Sequence, residues 1–111
     1  MNEGSLNKDQ QDQLLFMMLI QQHQQIGMMG LGKLKNPGTD SIERDLASAK
    51  YAIDTLSVIE KYTEGNLPKE LKSFLDQTLT TLRLNYADEA SKDSAGESDD
   101  NAESKSESTD S

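Results

Sequence analysis

Residues 14–20 read LLFMMLI, with QQHQQ following at 21–25 and IGMMGLG at 26–32. Leu, Met and Gln are strong helix formers and outnumber all other residues from Gln10 to Leu31, so this segment is predicted to be a helix. Seven consecutive apolar residues stepped by about 100° leave no gap wider than about 60° around the axis, so Leu14 to Ile20 are apolar on every face. Gly27 and Gly30 weaken the last turns by about 1 kcal/mol each relative to Ala, and Gly32, Asn36, Pro37 and Gly38 form a break. The first helix is expected over about 10–31.

Outward from that helix, Asp40 can cap a second one while Glu43, three residues on, reaches back, and Asp40 with Arg44 makes an i,i+4 pair. Apolar residues then fall at Ile42, Leu46, Ala49, Ile53, Leu56 and Ile59, a narrow helical stripe, and Gly65 supplies a left-handed stop. This places the second helix at about 41–63. After Pro68, a tolerated first-turn residue, Leu71, Leu75, Thr78 and Leu82 with Phe74, Leu79 and Tyr86 repeat the spacing for a third helix, antiparallel to the second.

The 111 residues allow one domain, and with 33% apolar and 5% aromatic residues its core is small. The net charge of −9 is uneven: residues 88–111 hold nine acidic and two basic side chains, so the body carries only −2. No residue larger than Ala in that tail is apolar, so nothing there offsets the entropy of ordering. The expected organisation is a flexible amino terminus at 1–9, a small all-α three-helix domain at 10–87 and a disordered acidic tail at 88–111.

A nearly neutral body with an anionic tail repels phosphate backbones and anionic headgroups, so neither nucleic acid nor membrane is expected as a partner. The absence of cysteine excludes disulfides, thiol nucleophiles and thiolate metal sites. The start Met1-Asn2-Glu3-Gly4 lacks the pattern of a secretory signal, and the longest apolar run is too short to span a bilayer. A cytoplasmic protein is expected.

The residues Leu46, Ala49, Ile53-Asp54, Leu56, Ile59, Gly65-Asn66-Leu67 and Leu82-Arg83-Leu84 with Tyr86 resemble a bacterial domain-of-unknown-function family, numbered 1844. Phe16, Leu19 and Leu31-Gly32 look like the first helix of the same family, so the resemblance covers most of residues 14–87. Pro68 departs from it, standing where such sequences carry a small hydroxyl residue able to cap the third helix. The resemblance implies fold boundaries and carries no activity.

Catalytic chemistry finds little support. His23, the only histidine, has Leu19, Ile20, Ile26 and Gly27 at the helical spacings where metal ligands or an acid–base partner would stand. Gly30-Leu31-Gly32-Lys33 lacks the spacer, the following hydroxyl and the preceding strand of a phosphate loop. Ser41, Ser48, Ser57 and Ser73 have no base at a recognisable spacing. Asp54 and Arg83 suggest an ion pair, yet a chain folding back at residue 65 or 66 offsets them by about 9 Å. No catalytic, cofactor-binding or metal site is expected.

The apolar block remains. Narrow stripes on the second and third helices cannot cover a first helix that is apolar all round, so a surface comprising Leu14, Leu15, Phe16, Met17, Met18, Leu19, Ile20, Met28 and Met29 is expected to be covered from outside. The candidates are a second copy of the chain, giving a homo-oligomer, or another protein whose helix docks in a Met-lined groove. A membrane surface fits poorly, because glutamines rather than lysines or arginines follow the block.

Overall fold

In the computed structural model, which describes residues 6–101 and side chains as far as Ser94, the chain enters its first helix through Asn7. Asn7 Oδ1 accepts from Gln10 N at 2.8 Å while Gln10 Oε1 accepts from Asn7 N at 3.0 Å, a reciprocal cap that starts α1 (Lys8–Gly30) two residues before the expected position. The exit is a Schellman turn. Gly32 N donates to Met29 O at 3.0 Å and Lys33 N to Met28 O at 2.8 Å, with Gly32 in the left-handed region at φ +79°.

The second helix departs from the sequence-based expectation. Asp40 does not cap it; at φ +58° it lies in the turn of a small antiparallel hairpin, β1 (Lys35–Asn36) with β2 (Ser41–Ile42), that the turn-forming Pro37 and Gly38 make possible. The cap is Asp45, whose Oδ1 accepts from Ala47 N at 3.1 Å and Ser48 N at 3.4 Å, and α2 runs Leu46–Tyr62. Glu43 turns instead to the hairpin, accepting from Thr39 Oγ1 at 2.7 Å, Ser41 Oγ at 3.1 Å and Asn36 Nδ2 at 3.1 Å. Ile42, expected on the core stripe, is exposed in β2.

Thr63 and Gly65 end α2, the latter at φ +78° as expected of a left-handed stop. Pro68 then stands directly before α3 (Lys69–Asn101), its carbonyl accepting the Lys72 N–H at 3.0 Å. The three helices run up, down and up, all packed on one another, and the class is a small all-α domain. Its core is Ile20, Leu31, Ala49, Ala52, Ile53, Leu56, Leu71, Leu75, Leu79 and Leu82, with Thr78 the buried polar member. The α3 members are those the spacing predicts, and so are those of α2 apart from Ala52, which lies beside the expected stripe.

Gly27 and Gly30, read from sequence as weak points, are where α1 meets α2. A Cβ on Gly30 would stand 2.7 Å from Ala49 N and 2.8 Å from Asp45 O, and one on Gly27 would stand 2.8 Å from Leu82 Cδ2. Asp45 N donates to Gly30 O at 2.8 Å, tying the start of α2 to the end of α1. The bare backbone allows this approach.

The boundary of the third helix is also corrected. The helix does not stop at residue 87; it continues to Asn101, and Glu89 is buried. As far as Asp93 the physical reason is charge: Glu89 and Asp93 meet cations that the α1–α2 connection presents, a gain that an apolar-pattern reading does not register. Of the expected tail, residues 102–111 lie outside the described residues, as do residues 1–5 of the expected amino-terminal segment.

Two stability measurements follow. Gly30→Ala, favoured in an isolated helix by about 1 kcal/mol, is expected to lower the urea-unfolding free energy by about 1–3 kcal/mol, because its methyl meets backbone that cannot move aside. Gly27→Ala should be milder, since it meets the end of a movable leucine. Ending the chain after Asp88 is expected to lower the thermal midpoint, whereas ending it after Asn101 should leave the midpoint unchanged.

Candidate functional site

The apolar surface expected on the first helix is split by the fold. Ile20 leaves it altogether: it is fully buried in the core, because it faces inward with Gly27 and Leu31. Phe16 and Met28 are half-buried and pack against that core, and Met17 and Met29 are half-buried too. Leu14, Leu15, Met18 and Leu19 remain exposed, spanning about 140° of the helix on the side away from Ile20. The sequence-based reading therefore overstated the surface by counting every residue of an all-apolar run.

A second set joins them. Tyr51, Val58 and Tyr62 are exposed on α2 and fall within about 40° of one another, roughly 120° from Ser57 and from the buried Leu56. Arg83 of α3 donates to Ser57 Oγ at 3.2 Å, so α3 lies on the Ser57 side of α2 and the tyrosines on the other. His23 of α1 brings its ring to 6.2 Å from that of Tyr51, so this exposed set borders α1. The spacing of seven and four residues is present in the sequence but lies off the core stripe.

His23 itself is half-buried, and its Nδ1 donates to Leu19 O at 3.0 Å. Among the described residues no group of three His, Asp or Glu side chains is placed to hold a metal. Gly32 and Lys33 are part of the helix stop, as their pattern indicates. Asp54 and Arg83 do not pair: Asp54 accepts from Lys50 Nζ at 2.7 Å. The expected offset is nonetheless wrong. The Ser57–Arg83 and Glu60–Asp76 contacts have midpoints at residues 70 and 68, so Asp54 and Arg83 are nearly level and are separated by facing different ways.

The densest charge cluster surrounds Glu89, which sequence reasoning assigned to the tail. Arg44 Nε donates to Glu89 Oε1 at 2.9 Å, while Lys33 Nζ at 3.3 Å and Lys92 Nζ at 2.9 Å reach Oε2. Arg44 Nη2 also donates to Glu89 O at 3.0 Å and to Asp93 Oδ1 at 2.9 Å. Only 9% of the Glu89 side chain stays accessible, covered at the surface by these cations rather than by the core. Lys92, then Lys33 and Arg44, hold its carboxyl down at about 2 against the opposing effect of its burial. At the other end of the bundle α2 and α3 share a carboxyl pair. The hydrogen bond that Glu60 donates to Asp76 pushes Glu60 above its usual range, with burial adding to it, while Asp76 is held below.

A family model described as a domain of unknown function (DUF1844) matches residues 13–88, more than half of the sequence. The chain belongs to the DUF1844 family. No curated protein and no solved structure matches it. The DUF1844 match begins within α1 and ends beside Glu89, so it contains the exposed apolar residues of both α1 and α2. Among the described residues no helix is long and apolar enough to cross a membrane.

The Glu89 cluster is testable by pH. A carboxyl whose folded pKa is depressed stabilises the fold fully above its unfolded value near 4.5 and loses that effect as pH falls towards 2. Glu89→Gln is thus expected to melt at a lower temperature than the parent at pH 7, and the gap should close between pH 4.5 and 2. Circular dichroism melts across that range would measure it. For Glu60 the sign reverses: its raised pKa favours the protonated form, so Glu60→Gln should raise the midpoint at pH 7 and change nothing well below pH 4.

Proposed function

We propose that this chain is a non-catalytic, cytoplasmic helical module that associates with copies of itself through α1. The observation that supports this reading is the exposure of Leu14, Leu15, Met18 and Leu19 together on one helix. Each forgoes part of the 1.5–3 kcal/mol or so that full burial of such a side chain supplies, and contiguous apolar surface of this kind marks contact sites. From Gln13 to Gly32 the helix carries no Asp, Glu, Lys or Arg, so contact here rests on apolar burial. The same feature disfavours phosphate backbones and lipid headgroups, which recruit lysine and arginine.

The second reading is an adaptor or regulator that receives a partner's amphipathic helix. It draws on Met17, Met18, Met28 and Met29, none of which is fully buried, because methionine adapts its shape to varied partners. Stoichiometry separates the two. Light scattering over a dilution series is expected to give a discrete oligomer for the first reading and a monomer for the second. Leu14→Gln with Met18→Gln, both exposed, should leave helicity intact and weaken self-association by about 3 kcal/mol, roughly a hundredfold in Kd. An unchanged monomer for the parent protein would refute self-association.

A further inference from the structure

The antiparallel pair α1 and α2 leaves two grooves, and α3 fills one of them. The other, between α1 and α2, is bordered by Leu15 and Leu19 on one side and by Tyr51, Val58 and Tyr62 on the other, with the His23–Tyr51 contact across it. Leu15 is 63%, Leu19 37%, Tyr51 59%, Val58 51% and Tyr62 76% accessible. At about 200 Å² for a tyrosine and about 150 Å² for a leucine or valine, they expose about 500 Å².

Building on the self-association proposed above, we propose that this composite α1/α2 face seats the same face of a second copy, as a two-fold dimer. Two observations select that occupant. The first is area: two such faces supply about 1,000 Å², the level a specific interface must clear, before any polar rim is counted. A two-fold contact also uses one patch twice, so the patch must suit itself.

The second is charge. The chain carries −9, and two copies repel wherever their acidic surfaces meet. On this face the stripe Ser48, Tyr51, Thr55, Val58 and Tyr62 is uncharged, as is α1 from Gln13 onward. Charge stands at the edges, where Lys61 Nζ lies 5.3 Å from the Tyr62 ring, Lys50 pairs with Asp54 at 2.7 Å beside Tyr51 and Val58, and Lys8 pairs with Asp12 at 2.6 Å. A basic or acidic partner finds no counter-charge in the middle, whereas an identical face meets no like charge there.

The test uses the full chain and two kinds of variant. Tyr51→Gln, Val58→Gln and Tyr62→Gln combined should raise the dimer Kd at least about 30-fold by light scattering and sedimentation, with helicity retained. Because the chain lacks cysteine, Val58→Cys gives a clean probe: a short bis-maleimide should link two copies through position 58, and should not do so for Thr80→Cys on exposed α3. If the parent protein is monomeric at micromolar concentration, self-association itself fails and this inference falls with it. If the parent associates and Leu14→Gln with Met18→Gln disperses it, while the α2 variant stays assembled and Val58→Cys does not cross-link, then self-association stands and this face is wrong. Should the triple variant unfold, the cross-linking result alone decides.

Discussion

At Gly30 the backbone of α1 touches the backbone that begins α2, and this close approach sets the geometry of everything after it. With Asp45 N bonded to Gly30 O, and Ala49 and Ala52 facing the two glycines, the helices lie nearer together than side chains larger than Ala allow. That brings Ile20, Leu56 and Ile53 into one core with Leu75, Leu79 and Leu82. It also fixes where the hairpin of residues 35–42 can lie, and so where Arg44 and Lys33 present their charges.

Those charges hold α3 to the body beyond its apolar stripe, as far as Asp93. A helix built only on its apolar stripe would end near Tyr86, where that stripe ends. Instead Glu89 enters a shell of three cations, two from the α1–α2 connection and one from α3 itself, and the helix carries past the family-matched region. A carboxylate held by several charge-assisted hydrogen bonds and largely shielded from water is a stronger anchor than an exposed ion pair such as Lys50–Asp54. The α1–α2 connection is consequently clamped from the far end of the chain.

One exposed apolar surface is divided between α1 and α2, and it is the basis for the proposal that the domain is an association module. Its residues are Leu14, Leu15, Met18 and Leu19 from α1 and Tyr51, Val58 and Tyr62 from α2. Among the described residues His23 bonds back to Leu19 of its own helix, Ser48 bonds to the capping Asp45, and Ser57 accepts from Arg83 of α3.

The sequence by itself determined three helices, the inward stripes of α2 and α3, the stop at Gly65 and the excess of apolar surface on the first helix. These are legible because helical periodicity and turn chemistry are local, set by residues within a few positions of one another. Only the tertiary structure decided that Asp45 rather than Asp40 caps α2, that Gly27 and Gly30 are contact points, that Ile20 is core while Leu15 is surface, and that Glu89 belongs to the folded body. Each of those depends on what lies across from the residue in space. A run that is apolar on every face gives no direction, and a carboxylate in an acidic segment gives no sign of cations that stand 45 and 56 residues earlier in the chain.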